Sequence, residues 1–428
     1  MHLPADFIDY TRSLFGEERW QRYLHAFSEP APVSIRFNPF KQVGESIVNS
    51  KSSNCKFTPV PWCRNAFYLS ERPNFTLDPL FHAGAYYVQE ASSMFLDHVM
   101  ASLSSLASHP TPLYLDLCAA PGGKSTLLRA AMPDEAVLYS NEPDRRRANI
   151  LAENMQKQGH PRVIVTNSYP RDYRRTGLTF DFILADVPCS GEGMFRKDEG
   201  AIAEWSLQNV MKCQALQRSI IEDIWQNLRE GGILVYSTCT FNTSENEENV
   251  RWICDNLGAE PIPIETKAEW NITGSLLKGY DAPVHRFIPG ITRGEGLFMA
   301  VLRKGGRMMD EGGKMMDEGG RKKCEGVGKY LHVLHDGTDI QPTTKGRKTI
   351  PAHAEALLAS SVGGSKPSVP LDLDDALRYL RHEALVLPPD APRGYVVVTY
   401  QGLPLGYVNN IGQRANNLYP KEWKIRNV

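Results

Sequence analysis

Residues 113–126 read Leu113-Tyr114-Leu115-Asp116-Leu117-Cys118-Ala119-Ala120-Pro121-Gly122-Gly123-Lys124-Ser125-Thr126. The run 113–117 is short and apolar with Asp116 near its end, as expected of a strand buried in a parallel sheet. Residues 119–123 are small residues and one proline, so the backbone can turn sharply and approach a ligand closely. A helix is predicted from Ser125, and its first N–H groups would face the same ligand. Strand, glycine turn and helix in that order hold a nucleotide-like cofactor at the carboxyl edge of an open α/β sheet.

Two phosphate-binding patterns compete for this turn. Gly123-Lys124-Ser125 ends like a P-loop, G-x-x-x-x-G-K-[ST], but the first glycine of that pattern would fall at Cys118. Without it the loop cannot easily wrap a triphosphate. The dinucleotide pattern G-x-G-x-x-G is absent as well. A cofactor with a nucleoside and no phosphates remains. Glu142, at the end of the next predicted strand, has the position past the glycine turn that suits an acid on ribose hydroxyls.

Outward from the turn, strands at 113–117, 136–141, 162–166, 181–186, 232–237 and 297–303 alternate with helices, of which 145–157 and 207–228 are the clearest. Before this unit, 4–27 should form two helices parted at Gly16, 33–38 a strand, and 41–75 a turn-rich region. Tyr86, Tyr87 and Gln89 could stack on and bond a base, or could be core. Residues 308–313 and 315–320 repeat Met-Met-Asp-Glu-Gly-Gly, a composition suited to a flexible linker. Beyond it, 395–408 reads as a hairpin turning at Gln401-Gly402. The tail mixes Arg414, Lys421, Lys424 and Arg426 with Tyr419 and Trp423, a pattern fit for RNA contact or for a plain solvated face. The expected organisation is therefore an N-terminal cap over 1–105, a catalytic domain over 106–304, a linker over 305–325 and a C-terminal region over 326–428.

Composition narrows the function. The 428 residues are 42% hydrophobic, and 48 Lys+Arg against 49 Asp+Glu leave a formal net charge of -1. A nucleic-acid partner must therefore be met by local basic patches. Eight cysteines, at 55, 63, 118, 189, 213, 239, 254 and 324, form no C-x-x-C pair. That argues against zinc and for a reducing compartment. No signal peptide and no apolar run of spanning length are visible, so a cytoplasmic protein without membrane contact is expected. Nothing in the pattern suggests an oligomer, and a monomer is expected.

Two further strand-to-loop junctions carry cysteines: Asp186-Val187-Pro188-Cys189-Ser190-Gly191-Glu192-Gly193-Met194, and Tyr236-Ser237-Thr238-Cys239-Thr240. Ser244 and Glu247 follow at the spacing of a helix capping box. Cys213, inside a predicted helix, reads as a small buried hydrophobe. A thiolate beside a nucleoside cofactor suits one reaction in particular. Added to carbon 6 of a cytosine, it turns carbon 5 into an enamine able to attack an electrophilic methyl group. A carboxyl group near ring N3 stabilises the charge that develops, and a second acid–base group helps carbon 5 lose its proton.

These three stretches, in this order, resemble the Sun-type RNA 5-methylcytosine methyltransferases. The extension 191–198, Gly-Glu-Gly-Met-Phe-Arg-Lys-Asp, is similar to the bacterial RsmF branch, which acts on ribosomal RNA. So is 294–298, Gly-Glu-Gly-Leu-Phe, while Leu405-Gly406-Tyr407 and 417–421 resemble that branch's PUA-like RNA-binding module. The resemblance covers 1–304 well and the tail more weakly. It implies a Rossmann-like S-adenosylmethionine-dependent methyltransferase of small-subunit ribosomal RNA, with Cys239 as nucleophile, Cys189 assisting product release and Asp186 between cofactor and base. It further implies that Cys118, Ala119, Ala120, Pro121, Gly122, Gly123 and Lys124 cradle the cofactor, with Glu142 on its ribose. The aspartate that the family often carries after the third strand is replaced by Asn167-Ser168-Tyr169, with Asp172 a little further on, so no adenine contact is assigned. A transfer RNA substrate, a P-loop NTPase and an RNA-binding assembly factor without activity are the alternatives.

Overall fold

The computed structural model describes residues 3–41, 55–103, 111–305, 327–345, 348–358 and 366–426. The repeat at 308–320 lies outside them.

Helices α1 (Ala5–Phe15) and α2 (Glu17–Ala26) meet at Gly16, whose φ of 74° makes the corner. Strands β1 (Val33–Phe37), β2 (Phe57–Pro59) and β3 (Ala66–Leu69), the short helix α3 (Pro79–His82) and β4 (Tyr86–Val88) follow, and the strands pair antiparallel in the order β2-β3-β1-β4. Helix α4 (Phe95–Ser102) leads into the central domain.

There β5 (Leu113–Asp116), α5 (Gly123–Ala131), β6 (Val137–Asn141), α6 (Arg145–Gln158) and β7 (Val163–Thr166) alternate as predicted, while only a 3-10 segment over Pro170–Arg175 separates β7 from β8 (Phe180–Asp186). Helices α7 (Glu199–Glu204) and α8 (Leu207–Trp225), β9 (Leu228–Thr238), α9 (Glu247–Leu257), β10 (Ala259–Pro261), β11 (Val284–Phe287) and β12 (Leu297–Lys304) complete it. The parallel core runs β7-β6-β5-β8-β9, and β12 adds antiparallel to β9. The strand order reverses between β5 and β8, so the loops after β5, β8 and β9 open at one edge, where an α/β sheet binds its ligand. Register makes this concrete, for Asp116 lies opposite Leu184 and Asp186 opposite Ser237. Leu127, Leu128, Leu151 and Met155 cover one face of the sheet, and Ile220, Ile221, Ile224, Val250 and Ile253 cover the other.

Two details differ from the sequence reading. Leu228, predicted as the last turn of a helix, begins β9, because Asn227 ends the helix by donating to the carbonyls of Tyr173 and Leu178. The capping box at Ser244 does not form. Helix α9 begins at Glu247 behind Asn246, without a side-chain cap, because Glu247 is drawn into a buried ion pair with Arg286.

The C-terminal part does more than form its own module. After α10 (Val327–Tyr330), strand β13 (Val333–Asp336) adds antiparallel to β7 and extends the central sheet. A hairpin of β14 (Thr343–Lys345) and β15 (Lys348–Ile350) and helix α11 (His353–Leu357) follow. Strands β16 (Ser368–Pro370), β17 (Gly394–Tyr400), β18 (Leu403–Asn410) and β19 (Ala415–Asn417), with helix α12 (Leu373–Leu380), make the last sheet. Its hairpin turns at Gln401-Gly402, both at positive φ, as expected of a tight two-residue turn. Tyr379, Leu380, Leu405 and Tyr419 share one core with Ile35, Phe37 and Leu80 of the N-terminal part. Tyr419 is therefore buried, and Trp423 lies over Lys157 of α6, so neither is a free stacking platform. Arg414, Lys421, Lys424 and Arg426 stay exposed.

Candidate active site

Three loops meet at the carboxyl edge of the sheet. The first leaves β5 at Asp116, which is fully buried and accepts from Ser125 Oγ at 2.6 Å through Oδ2, while Oδ1 has no partner. Burial raises its pKa to about 7. Cys118, Ala119, Ala120 and Pro121 carry the chain to Gly122, at φ 117°, where a Cβ would also press on Asn154 and Leu151 at 3.3 and 3.4 Å. That conformation is open to glycine. Helix α5 then starts at Gly123, and a Cβ there would meet the ring of Tyr87 at 3.3 Å. The turn is thus held from behind by the N-terminal sheet. Arg36, itself buried, reaches from β1 to Thr126 Oγ1 at 2.7 Å, the Gly123 carbonyl at 3.3 Å and Gln89 Oε1 at 3.1 Å. Tyr86 donates to Asp78 at 2.5 Å, so Tyr86, Tyr87 and Gln89 are interface and core residues, not a base-stacking surface.

Lys124 does not reach outward as a phosphate ligand would. Its Nζ donates to Asp186 Oδ2 at 2.8 Å, and Ser237 Oγ donates to Asp186 Oδ1 at 2.6 Å. Burial disfavours the Lys124 charge, but the Asp186 carboxylate, with Cys239 behind it, outweighs burial and leaves the pKa raised. Glu142 lies at the end of β6, almost wholly buried. Its Oε1 accepts from the Asp144 N–H at 3.0 Å, while Oε2 stands 3.4 Å from Arg147 without a hydrogen bond. Burial raises its pKa, opposed by the Asp144 N–H and Arg147. Tyr169, after β7, is exposed beneath Arg171, and Asp172 is spent on the Tyr169 N–H at 2.9 Å.

The other two loops bring the cysteines together. Cys189 Sγ and Cys239 Sγ lie 3.1 Å apart, both half-buried, and the Cys239 N–H donates to Cys189 Sγ at 3.3 Å. The hydrogen bond with Cys239, and then burial, push the Cys189 thiol well up, so Cys189 holds its proton. Cys213 is half-buried on α8, and burial raises it to about 11. Cys118 is likewise raised, by burial first.

Two buried acids that sequence reasoning passed over fix the cysteine loops to each other. Glu192 accepts from the N–H groups of Phe241 and Asn242 at 2.6 and 3.0 Å and from Trp205 Nε1 at 2.9 Å. Glu245 accepts from the Ser190 N–H at 3.0 Å, Gln217 at 2.7 Å and Asn242 at 2.8 Å. Burial lifts its pKa to about 7. Behind them the Arg286 guanidinium pairs with Glu247 and donates to the Phe241 carbonyl. Gly193 donates to the Cys239 carbonyl at 2.8 Å. The only hint in the sequence is polar residues placed just past each cysteine.

The orphan oxygens of Asp116 and Glu142 and the glycine cradle between them fit a nucleoside cofactor with polar groups to satisfy. A parallel sheet with this turn, and a cysteine pair over an acid at its edge, define a Rossmann-like methyltransferase. Comparison with known proteins makes this specific. The family "16S rRNA methyltransferase RsmB/F" matches residues 103–303, the "N-terminal domain of 16S rRNA methyltransferase RsmF" matches 3–91, and the "Methyltransferase RsmF PUA domain" matches 366–425. The ribosomal RNA small subunit methyltransferase F of Escherichia coli O9:H4 is 31% identical over 99% of this chain and 96% of its own. That of Aeromonas hydrophila is 29% identical over 98% and 97%. Among solved structures, a methyltransferase homolog protein from Pyrococcus horikoshii has a TM-score of 0.57 at 29% identity, over 71% of this chain and all of its own. NSun6 from the same organism, solved with SFG, shares the fold with a TM-score of 0.58 at 21% identity, over 70% and 98%. The chain belongs to the RsmF branch of the 16S rRNA methyltransferase RsmB/F family.

Proposed function

We propose that the protein methylates carbon 5 of a cytosine in 16S ribosomal RNA, using S-adenosylmethionine and a covalent bond from Cys239 to carbon 6. The contact of Cys189 and Cys239 at 3.1 Å, beside the Lys124–Asp186 pair, carries this reading. The cradle 118–124 would hold the cofactor and Glu142 its ribose. When bound, S-adenosylmethionine supplies the electrophilic methyl group that carbon 5 takes up.

The chain's own residues do the rest. Cys239 adds to carbon 6 as thiolate, while the Lys124–Asp186 pair offers a proton at ring N3 as charge develops there. Once Cys239 Sγ is bonded to carbon, Cys189 loses the contact that most strongly holds its own proton. It can then release that proton to solvent and take the carbon 5 proton as thiolate. The Cys239–carbon 6 bond breaks with its electron pair returning to Cys239 Sγ, and ring N3 gives its proton back to the Lys124–Asp186 pair. The reaction needs an unstacked base, since carbon 6 is unreachable within a helix. The cap over 1–105 and the region over 326–428 are read as the RNA-binding parts, the second joined to the catalytic domain through 305–325.

Incubation of Cys189→Ala protein with unmethylated 16S rRNA and methyl-labelled cofactor tests the reading on a denaturing gel. A labelled, slowly migrating protein–RNA species is expected, absent when Cys239→Ala is added to the same chain. Labelled RNA without adduct would reverse the division of labour between the cysteines.

A further inference from the structure

A second feature adjoins the cysteines without taking part in their chemistry. A cleft of about 220 Å³ opens between the chain leaving α2, at Glu29 and Pro30, and the loop 290–294, with Arg196 on its wall. Its walls continue into the cysteine loops. Arg196 follows closely on Gly193, which bonds the Cys239 carbonyl, and a Cβ on Gly193 would stand 3.2 Å from the carbonyls of both Glu295 and Gly296. An RNA strand whose base enters the site from this side must lay its backbone along the cleft.

The charges here are arranged for that purpose. The Arg196 side chain is buried and already committed, to Glu295 at 3.0 Å and to the Glu29 carbonyl at 3.0 Å. It forms the wall. Arg293 is different: it is exposed, and among the described residues no acid forms an ion pair with it. Its guanidinium lies 4.0 Å over the ring of Tyr68, whose hydroxyl donates to the Arg293 carbonyl at 2.7 Å. Tyr68 therefore holds both the backbone and the head of Arg293. A guanidinium held over a ring face by cation–π attraction loses less freedom when its N–H groups bind a second group. Lys197 is exposed beside Arg196, and Arg22 reaches the Gly290 carbonyl from the opposite side. Glu29 lines the cleft as an exposed acid 3.5 Å from His25, and Glu295 is taken by Arg196. Arg293, Lys197 and Arg22 therefore leave the rim with an excess of cations, which matches a phosphodiester.

We infer that Arg293, held over the ring of Tyr68, binds a backbone phosphate of the RNA strand that flanks the reacting cytosine. The inference rests on the RNA methyltransferase reading above. Its test is steady-state methylation of unmethylated 16S rRNA and of unmethylated small subunits at several salt concentrations, with cofactor affinity measured by calorimetry. Arg293→Gln should raise KM for RNA about tenfold, leave kcat and cofactor affinity unchanged, and lower the slope of log KM against log salt by about one. Arg293→Lys should restore the slope and only part of the KM, since it keeps charge but not the planar fork. Wild-type KM and slope in Arg293→Gln would overturn the inference while leaving the methyltransferase standing. Loss of cofactor affinity together with RNA affinity would also overturn it, by showing a merely structural role. A wild-type enzyme that methylates neither substrate would instead defeat the underlying reading, and the inference with it.

Discussion

Gly193 sets where Cys239, the proposed nucleophile, stands, and Gly193→Ala should show it. The added Cβ would lie 2.9 Å from the Cys239 carbonyl oxygen and 3.2 Å from those of Glu295 and Gly296, all backbone atoms that no side-chain rotation can move aside. Ordinary contact begins near 3.4 Å, so the Cys239 backbone must retreat by about half an ångström while two neighbours press from the other side. Overpacking of this kind costs about 1–3 kcal/mol of stability. Its effect on chemistry should be larger in proportion, because a misplacement of about 1 Å costs on the order of 100-fold in rate. Half that displacement predicts a drop in kcat of about tenfold or more, read in a single-turnover methyl-transfer assay. Cofactor affinity should be unchanged, since the atoms the new methyl meets belong to 239, 295 and 296 and not to the turn at 118–124. Gly191→Ala is the control, for Gly191 has a φ of 74° and its Cβ would meet nothing within 4 Å. That change adds backbone strain of about 1–2 kcal/mol without pushing on Cys239. A Gly193→Ala enzyme with turnover within twofold of wild type would refute the claim that this contact positions Cys239 for its proposed role.

Two further outcomes follow from buried charge. Glu247→Gln leaves the Arg286 guanidinium buried without a counter-charge. A loss of about 3–5 kcal/mol is expected in chemical denaturation. Replacing both residues by apolar ones of similar volume should recover much of it. For Asp116, burial lifts the folded-state pKa from 3.8 to about 7, so between those values the native protein holds a proton that the unfolded chain has released. Its stabilising contribution is present below the unfolded value of 3.8 and is lost as pH rises through about 7. The stability of wild type relative to Asp116→Asn should therefore fall across that window and level off above it, and a difference that rose with pH would contradict the burial argument.

What could be read from the sequence, and what could not, divides along the range of the interactions. The strands of the central sheet announce themselves as short apolar runs closed by small or polar residues, because a strand covered on both faces needs nothing else. The cysteine loops are legible for a similar local reason: each follows such a run directly, so the topology must bring it to the carboxyl edge. Strand β13 was hidden, since Val-Leu-His-Asp is short, partly exposed and paired with β7, far back in the chain. Leu228 misled because an apolar residue at helical spacing is equally at home at the start of a strand.

The acids were hidden most deeply, and they matter most to the site. In the sequence, Glu192, Glu245 and Glu247 look like solvated loop or cap residues, for nothing local distinguishes a buried carboxylate from an exposed one. The structure gives each donors drawn from other segments: Phe241, Asn242 and Trp205 for Glu192, Ser190 and Gln217 of α8 for Glu245, and Arg286 of β11 for Glu247. A carboxylate that accepts several N–H groups from a second segment fixes the distance between the two, because leaving any one of those donors unpaired in the interior costs about 1–3 kcal/mol. The separation of 3.1 Å between Cys189 and Cys239 is thus set by groups that never touch the reacting base. It follows that activity should be more sensitive to these acids than their absence from the chemistry suggests. Glu192→Gln would present an amide N–H to donors that need an acceptor, and should loosen the cysteine pair while leaving the cofactor turn intact. Adduct formation in the Cys189→Ala background would read this directly: a yield unchanged by Glu192→Gln would mean that the cysteine loops hold their spacing without the acid between them.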